Sequence, residues 1–195
     1  MVKLLCYGDS NTYGYDPRSP FGERYAAEHR WVDRLAGMLG CECINAGENG
    51  REIPVREWES RYFDQLLKTH QPDCAIIMLG SNDLLQGCPV ESVVIRMERF
   101  LEKRDKSKTL LVAPPPMQWG EWVTTQELIN SSSELGCAYK ALSERLGIAF
   151  ADAGDWNITL AYDGVHFSEE GHRAFAEGLA NYFRNRREGL CWKLE

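Results

Sequence analysis

A chain of 195 residues, 44% of them hydrophobic, can bury one full core, so a single domain over residues 1–195 is expected. Acidic side chains outnumber basic ones 29 to 22, for a formal charge of -7, and no basic run occurs, which argues against a nucleic-acid surface. No stretch approaches the roughly 18 apolar residues that span a bilayer, Met1 to Tyr7 is too short for a signal peptide, and the seven cysteines lack framework spacing, so a cytoplasmic protein with free thiols is expected.

The first element is an apolar strand, Lys3 to Tyr7, that breaks at Gly8-Asp9-Ser10. A short buried strand ending in small polar residues delivers them to a sheet edge, the place where open parallel sheets bind ligands. Tyr13 to Glu28 is polar and reads as a long loop. His29 to Leu39 follows as a helix with Trp31, Val32 and Leu35 on one face, stopped by Gly40. A second strand, Glu42 to Ala46, runs into Gly47-Glu48-Asn49-Gly50. Cys41 and Cys43 are read as pointing to opposite faces of that strand, and so as a poor metal pair.

Pro54 is expected to open a helix to about His70, with Val55, Trp58, Tyr62 and Leu66 as its apolar stripe. Cys74 to Leu79 is continuously apolar, the mark of a strand covered on both faces. It ends in Gly80-Ser81-Asn82-Asp83. Pro89 opens a helix with Val90, Val93, Val94, Met97 and Leu101 facing inward. Thr109 to Val112 is a fourth strand, closed by Pro114-Pro115-Pro116. A loop with Trp119 and Trp122 follows, either lining a pocket or packing. Thr125 to Leu146 is a helix, with Ser131-Ser132-Ser133 on its outer face or at an irregularity. Ile148 to Ala151 is the fifth strand. A loop then carries Asp163 and His166. Ser168 caps a final helix whose stripe is Phe175, Leu179 and Phe183. Arg184, Arg186 and Arg187 sit where the helix dipole favours cations. Strand and helix alternate five times, which argues an α/β fold, a parallel sheet with helices on both faces.

In such a sheet Ser10, Gly50, Asn82, Asp163 and His166 all follow strands and share one carboxyl edge. Together they supply what acyl transfer needs: a nucleophile, a base and donors for an oxyanion. A serine hydroxyl needs a neighbouring imidazole, and the Asp163-Gly-Val-His166 spacing suits a carboxylate that orients its own histidine. The backbone N–H groups of Ser10 and Gly50 and the Asn82 amide are the candidate oxyanion donors. Plainer readings stand beside these: Asp163 as a turn residue, His166 as a helix-flanking polar residue, Asn82 as a helix cap, Gly47 in place of Gly50, and Ser81 as a second candidate nucleophile. His29, His70 and His172 lack ligand spacing and read as surface or helix residues.

Gly8-Asp9-Ser10-Asn11, Asn45-Ala46-Gly47-Glu48-Asn49-Gly50, Gly80-Ser81-Asn82-Asp83 and Asp163-Gly164-Val165-His166 resemble, in order, the four blocks of the SGNH (GDSL-type) hydrolases. The resemblance implies a three-layer, flavodoxin-like fold with strand order 2-1-3-4-5. It also implies serine ester hydrolysis with no metal or other cofactor. Ser10 would be nucleophile, His166 base, Asp163 its partner, and Ser10, Gly50 and Asn82 the oxyanion hole. Met78 to Asp83, the proline run and Asp163 to Phe167 are similar to bacterial arylesterases and acyltransferases of this superfamily, which implies small-molecule esters as substrates and a homo-oligomer. Asn11 stands where the family often has Leu, and is expected to alter the wall beside the nucleophile. Asn11, Trp119 and Trp122 are the expected pocket residues. A carbohydrate O-acetyl deacetylase and a catalytically silent binding module are the alternatives.

Overall fold

The structure, a computed structural model, describes residues 1–185; Arg186 and Arg187 lie outside the described residues. Five strands form one parallel sheet: β1 (Lys3–Gly8), β2 (Glu42–Gly47), β3 (Cys74–Met78), β4 (Thr109–Ala113) and β5 (Ala149–Asp152). Their order is β2-β1-β3-β4-β5. In register, Gly8 lies opposite Gly47 on one side and Met78 on the other. The ends of β2, β1 and β3 therefore meet at one edge of the sheet.

Seven helices complete the described fold: α1 (Ser10–Tyr13), α2 (Trp31–Leu39), α3 (Glu57–His70), α4 (Ser81–Leu85), α5 (Val90–Leu101), α6 (Gln126–Leu146) and α7 (Glu169–Asn185). Alternation along β1 divides the core into two layers. Leu4 and Cys6 point into the layer of α2 and α7, with Trp31, Leu35 and Phe175. Leu5 and Tyr7 point to α3, α5 and α6, with Phe63, Met97 and Tyr139. Because both faces are covered, β1, β3 and β4 run continuously apolar rather than alternating, apart from Lys3 and Thr109 at the starts of β1 and β4. Among the described residues, no helix is long and apolar enough to cross a membrane.

Expectations for α3, Ser132 and the Cys41/Cys43 pair change, and His172 is placed as a helix residue with its ring inside. Helix α3 starts at Glu57, not Pro54, with the Glu59 carboxylate accepting the Val55 and Arg56 N–H groups. Its inward face is Phe63, Leu66 and Leu67, where Phe63 meets the Tyr7 ring edge-on at 4.7 Å. The expected stripe residues Val55, Trp58 and Tyr62 are exposed. Ser132 is buried rather than outward: its hydroxyl donates to Ile129 O and accepts the Met117 N–H, tying α6 to the chain after β4. His172 is fully buried, since it shares the inner face of α7 with Phe175, Ala176 and Leu179. Burial, with the cations of Arg34 and Arg30, pushes its pKa down to about 3, so the ring is neutral and Nδ1 accepts the Trp31 N–H. Finally, positions two apart share a face of a strand, and the Cys41 and Cys43 sulfurs lie 3.7 Å apart.

Candidate active site

Each functional side chain is placed by a local device. After β1 the chain turns directly into α1, a single turn of helix. Asp9 caps it: its Oδ1 accepts the Asn11 N–H at 2.9 Å, and Asp9 O accepts from Thr12 and Tyr13. Ser10 thus becomes the first residue of a helix fixed at the sheet edge. Asp9 itself is buried; burial pushes its pKa up to about 6, against the pull of the Asn11 N–H and the nearby His166 and Arg51. The end of β2 lies so close to α1 that a Cβ on Gly47 would sit 2.0 Å from the Tyr13 nitrogen. Only glycine fits there.

The Asp163–His166 turn is built in the same way. Asp163 Oδ1 accepts the N–H groups of Val165 and His166, each at 2.9 Å. Gly164, at φ +81, lets the chain reverse. The second oxygen, Oδ2, then lies 2.7 Å from His166 Nδ1. His166 Nε2 lies 3.0 Å from Ser10 Oγ. Burial alone would raise the Asp163 carboxyl, but the bonds from the imidazole and the two backbone N–H groups hold it below its usual value. An ionised carboxylate only accepts. It therefore keeps the proton on Nδ1 and leaves Nε2 free to take one from Ser10.

Asn11, expected as a pocket residue, has a second setting in the structure. It is buried and brackets the histidine: its Nδ2 donates to Val165 O at 3.1 Å, and its Oδ1 accepts the Phe167 N–H at 2.8 Å. Its own carbonyl takes the Trp31 indole N–H at 2.9 Å. The residue after the serine thus binds the backbone on both sides of His166.

The tryptophan loop braces the turn from outside. Gln118 N–H donates to Gly164 O (3.0 Å), Glu121 N–H to Tyr162 O (3.2 Å) and Trp122 N–H to Asp163 O (3.0 Å). Gly120 lies so close that a Cβ there would be 2.3 Å from the Asp163 carbonyl carbon. The Trp122 ring meets His166 edge-on at 4.9 Å, and Tyr15 flanks it at 4.6 Å. Trp119 is 62% exposed. The loop after α1 is tied down by Tyr162 Oη donating to Pro17 O (2.8 Å) and by the Arg18–Glu169 pair (2.8 Å). Tyr15 escaped the sequence reading because nothing separates it from other loop aromatics.

The Gly47 N–H is taken by Asn45 Oδ1 at 3.0 Å. Among the described residues, the N–H groups of Ser10 and Gly50 have no acceptor. Gly50 is exposed, at φ +73, in the loop between β2 and α3. Asn82 is not a helix cap. It is the second residue of α4, and its Nδ2 donates to Arg51 O at 3.1 Å. Its neighbour Asp83 holds the same loop by accepting the Ile53 N–H at 3.0 Å. A cleft of about 440 Å³ lies beyond Gly50, between this loop, Trp58, Tyr62 and Arg96. Among the described residues, no three His, Cys, Asp or Glu side chains cluster in a way that could hold a metal ion.

A hydroxyl, an imidazole and a carboxylate in line at the carboxyl edge of a flavodoxin-like sheet are the working parts of serine ester hydrolases. The chain belongs to the GDSL-like lipase/acylhydrolase family, whose model matches residues 6–174. Among solved structures it is similar to a protein assigned as an arylesterase from Agrobacterium tumefaciens str. C58, at 31% identity and a TM-score of 0.82 over 95% of this chain and 99% of that one. It is similar to the aryl esterase of M. smegmatis, at 27% identity and 0.83 over 95% and 99%. It is also similar to Est24, a carbohydrate acetylesterase from Sinorhizobium meliloti, at 26% identity and 0.82 over 95% and 99%. No curated protein matches.

Proposed function

We propose that the 195 residues form one catalytic domain that cleaves short acyl esters of small alcohols through an acyl-enzyme on Ser10. The single observation that carries this is the relay from Ser10 Oγ to His166 Nε2 (3.0 Å) and from Nδ1 to Asp163 Oδ2 (2.7 Å). His166 takes the Ser10 proton as Oγ attacks the ester carbonyl. Asp163 stabilises the imidazolium that forms. The carbonyl oxygen becomes an oxyanion, received by the Ser10 and Gly50 N–H groups and the second N–H of the Asn82 amide. Collapse passes the proton from His166 to the leaving alcohol. Water then repeats the sequence on the acyl-enzyme and releases the acid.

The surroundings favour a small, flat substrate. Tyr15 and Trp122 stand beside the imidazole; Trp119, in the same loop as Trp122, and Tyr162, next to Asp163 in the chain, are exposed. Aromatic walls suit aryl or short acyl esters. The same exposed tryptophans could stack on a pyranose face, which favours acetylated sugars as the second reading. A panel of p-nitrophenyl esters of rising chain length, assayed beside acetylated sugars, tests the choice. Turnover highest on acetate and propionate aryl esters is expected. Preference for long chains overturns the short-acyl reading, and preference for acetylated sugars selects the second.

A further inference from the structure

Arg51 joins all three segments that carry the oxyanion donors. One of its guanidinium nitrogens, Nη1, donates to Gly8 O at 2.8 Å and to Ala46 O. Nη2 pairs with the Glu48 carboxylate, and the group lies 4.2 Å from the centre of the Tyr7 ring. Gly8 ends β1, just before Asp9-Ser10. Ala46 lies near the end of β2, four residues before Gly50. The Arg51 carbonyl in turn accepts the Asn82 amide at 3.1 Å. The side chain is only 9% exposed.

These contacts answer a mechanical problem. An oxyanion hole lowers the barrier only when its donors are in place before charge develops. Here the donors come from three separate segments, and residues 48–56 have no helix or strand to hold them. Their position rests on side-chain anchors. The guanidinium holds both carbonyls through Nη1 and still has Nη2 for the Glu48 carboxylate, whereas a lysine would have to make all three contacts from one rotatable ammonium nitrogen. Asn82 has a second problem, since either end of its amide could face the substrate. An amide has two N–H donors on one nitrogen. The Arg51 carbonyl takes one of them, which fixes the nitrogen end toward residue 51 and leaves the other N–H to the substrate side. It does for Asn82 what Asp163 does for His166.

We propose that Arg51 is a positioning residue of the oxyanion hole, setting Gly50 and Asn82 against Ser10. This rests on the esterase reading above. The test compares Arg51→Met and Arg51→Lys, each alone and with Asn82→Ala, on p-nitrophenyl acetate, with melting curves to establish folding. The folded Met variant should lose on the order of 10²-fold in kcat, the scale of one missing oxyanion donor, with KM within about threefold. Lys should fall between Met and wild type. Asn82→Ala should cost far less in the Met background than alone, because residues acting as a unit are not additive. Arg51→Met at wild-type kcat, a loss confined to KM, or full additivity with Asn82→Ala overturns the proposal. If Arg51→Met does not fold, Arg51→Lys decides by the same criteria. Arg51 variants at full rate beside an inactive Ser10→Ala overturn this inference alone. Ser10→Ala at full rate overturns the esterase reading and this inference with it.

Discussion

Replacing Asn11 by alanine tests whether the bracket around His166 carries load. In the native chain Asn11 Oδ1 accepts the Phe167 N–H at 2.8 Å and Nδ2 donates to Val165 O at 3.1 Å. The residue is 4% exposed, so water does not replace what truncation removes. Alanine strands the buried Phe167 N–H and takes a donor from Val165 O. Each such group costs about 1–3 kcal/mol, and the two together roughly 2–6 kcal/mol. For a chain of this size, about 2–4 °C per kcal/mol translates that into a midpoint lower by roughly 4–24 °C. The bracket also sets the imidazole against Ser10, and misplacement by about 1 Å can cost on the order of 10²-fold in rate. Thermal melts by circular dichroism, with p-nitrophenyl acetate turnover measured well below each midpoint, read both effects. Asn11→Leu should behave like alanine, since it restores neither bond. A midpoint within about 2 °C of wild type, with unchanged kcat, would refute the reasoning.

Asp9→Asn keeps an acceptor for the Asn11 N–H but removes a buried charge. The native carboxyl is raised from 3.8 to about 6. The folded state therefore holds its proton more tightly than the unfolded one, and the native protein loses stability as pH rises through that interval. By about 1.4 kcal/mol per unit, the variant should be roughly 3 kcal/mol more stable than wild type at pH 7, and the gap should close by pH 4. Urea titrations at the two pH values check this, and equal differences at both contradict it. Asp163→Asn should lose about 10⁴-fold in kcat with the fold retained, because the wrong imidazole tautomer then faces Ser10; a loss under tenfold in steady-state assays contradicts it. Gly120→Ala places a methyl 2.3 Å from the Asp163 backbone and should lower both midpoint and kcat. Gly37→Ala is the control, in α2 with nothing within 4 Å, and should be neutral or gain about 1 kcal/mol by the same melts. Identical behaviour of the two variants contradicts the close contact.

Much of this architecture was legible because two signals were strong. Apolar runs such as Cys74 to Met78 mark strands covered on both faces, and each of the first three breaks into a short polar motif at the same edge. Helix faces were readable where one period dominates, as in α5 and α7. Helix α3 defeated the same method: it offers two apolar rows, Trp58 with Tyr62 and Phe63 with Leu66 and Leu67, and only tertiary packing on Tyr7 selects the second. Single-turn helices α1 and α4 are too short for any periodicity to show. Ser10, Asp163 and His166 stood out because their chemistry is rare in combination. The roles of Asn11 and Arg51 did not, since both act through contacts with segments distant in sequence: Asn11 with Val165 and Phe167, Arg51 with Gly8 and Asn82.

The central claim is that Ser10 forms the acyl bond, activated by His166. Mass spectrometry after treatment with a p-nitrophenyl phosphonate tests it most directly, with Ser10→Ala and His166→Ala run beside the wild type. One adduct per chain, on the peptide holding Ser10, is expected, together with no labelling of the Ser10 variant and greatly slowed labelling of the His166 variant. An adduct on another residue, or a Ser10→Ala protein that still turns over p-nitrophenyl acetate within about tenfold of wild type, contradicts the account.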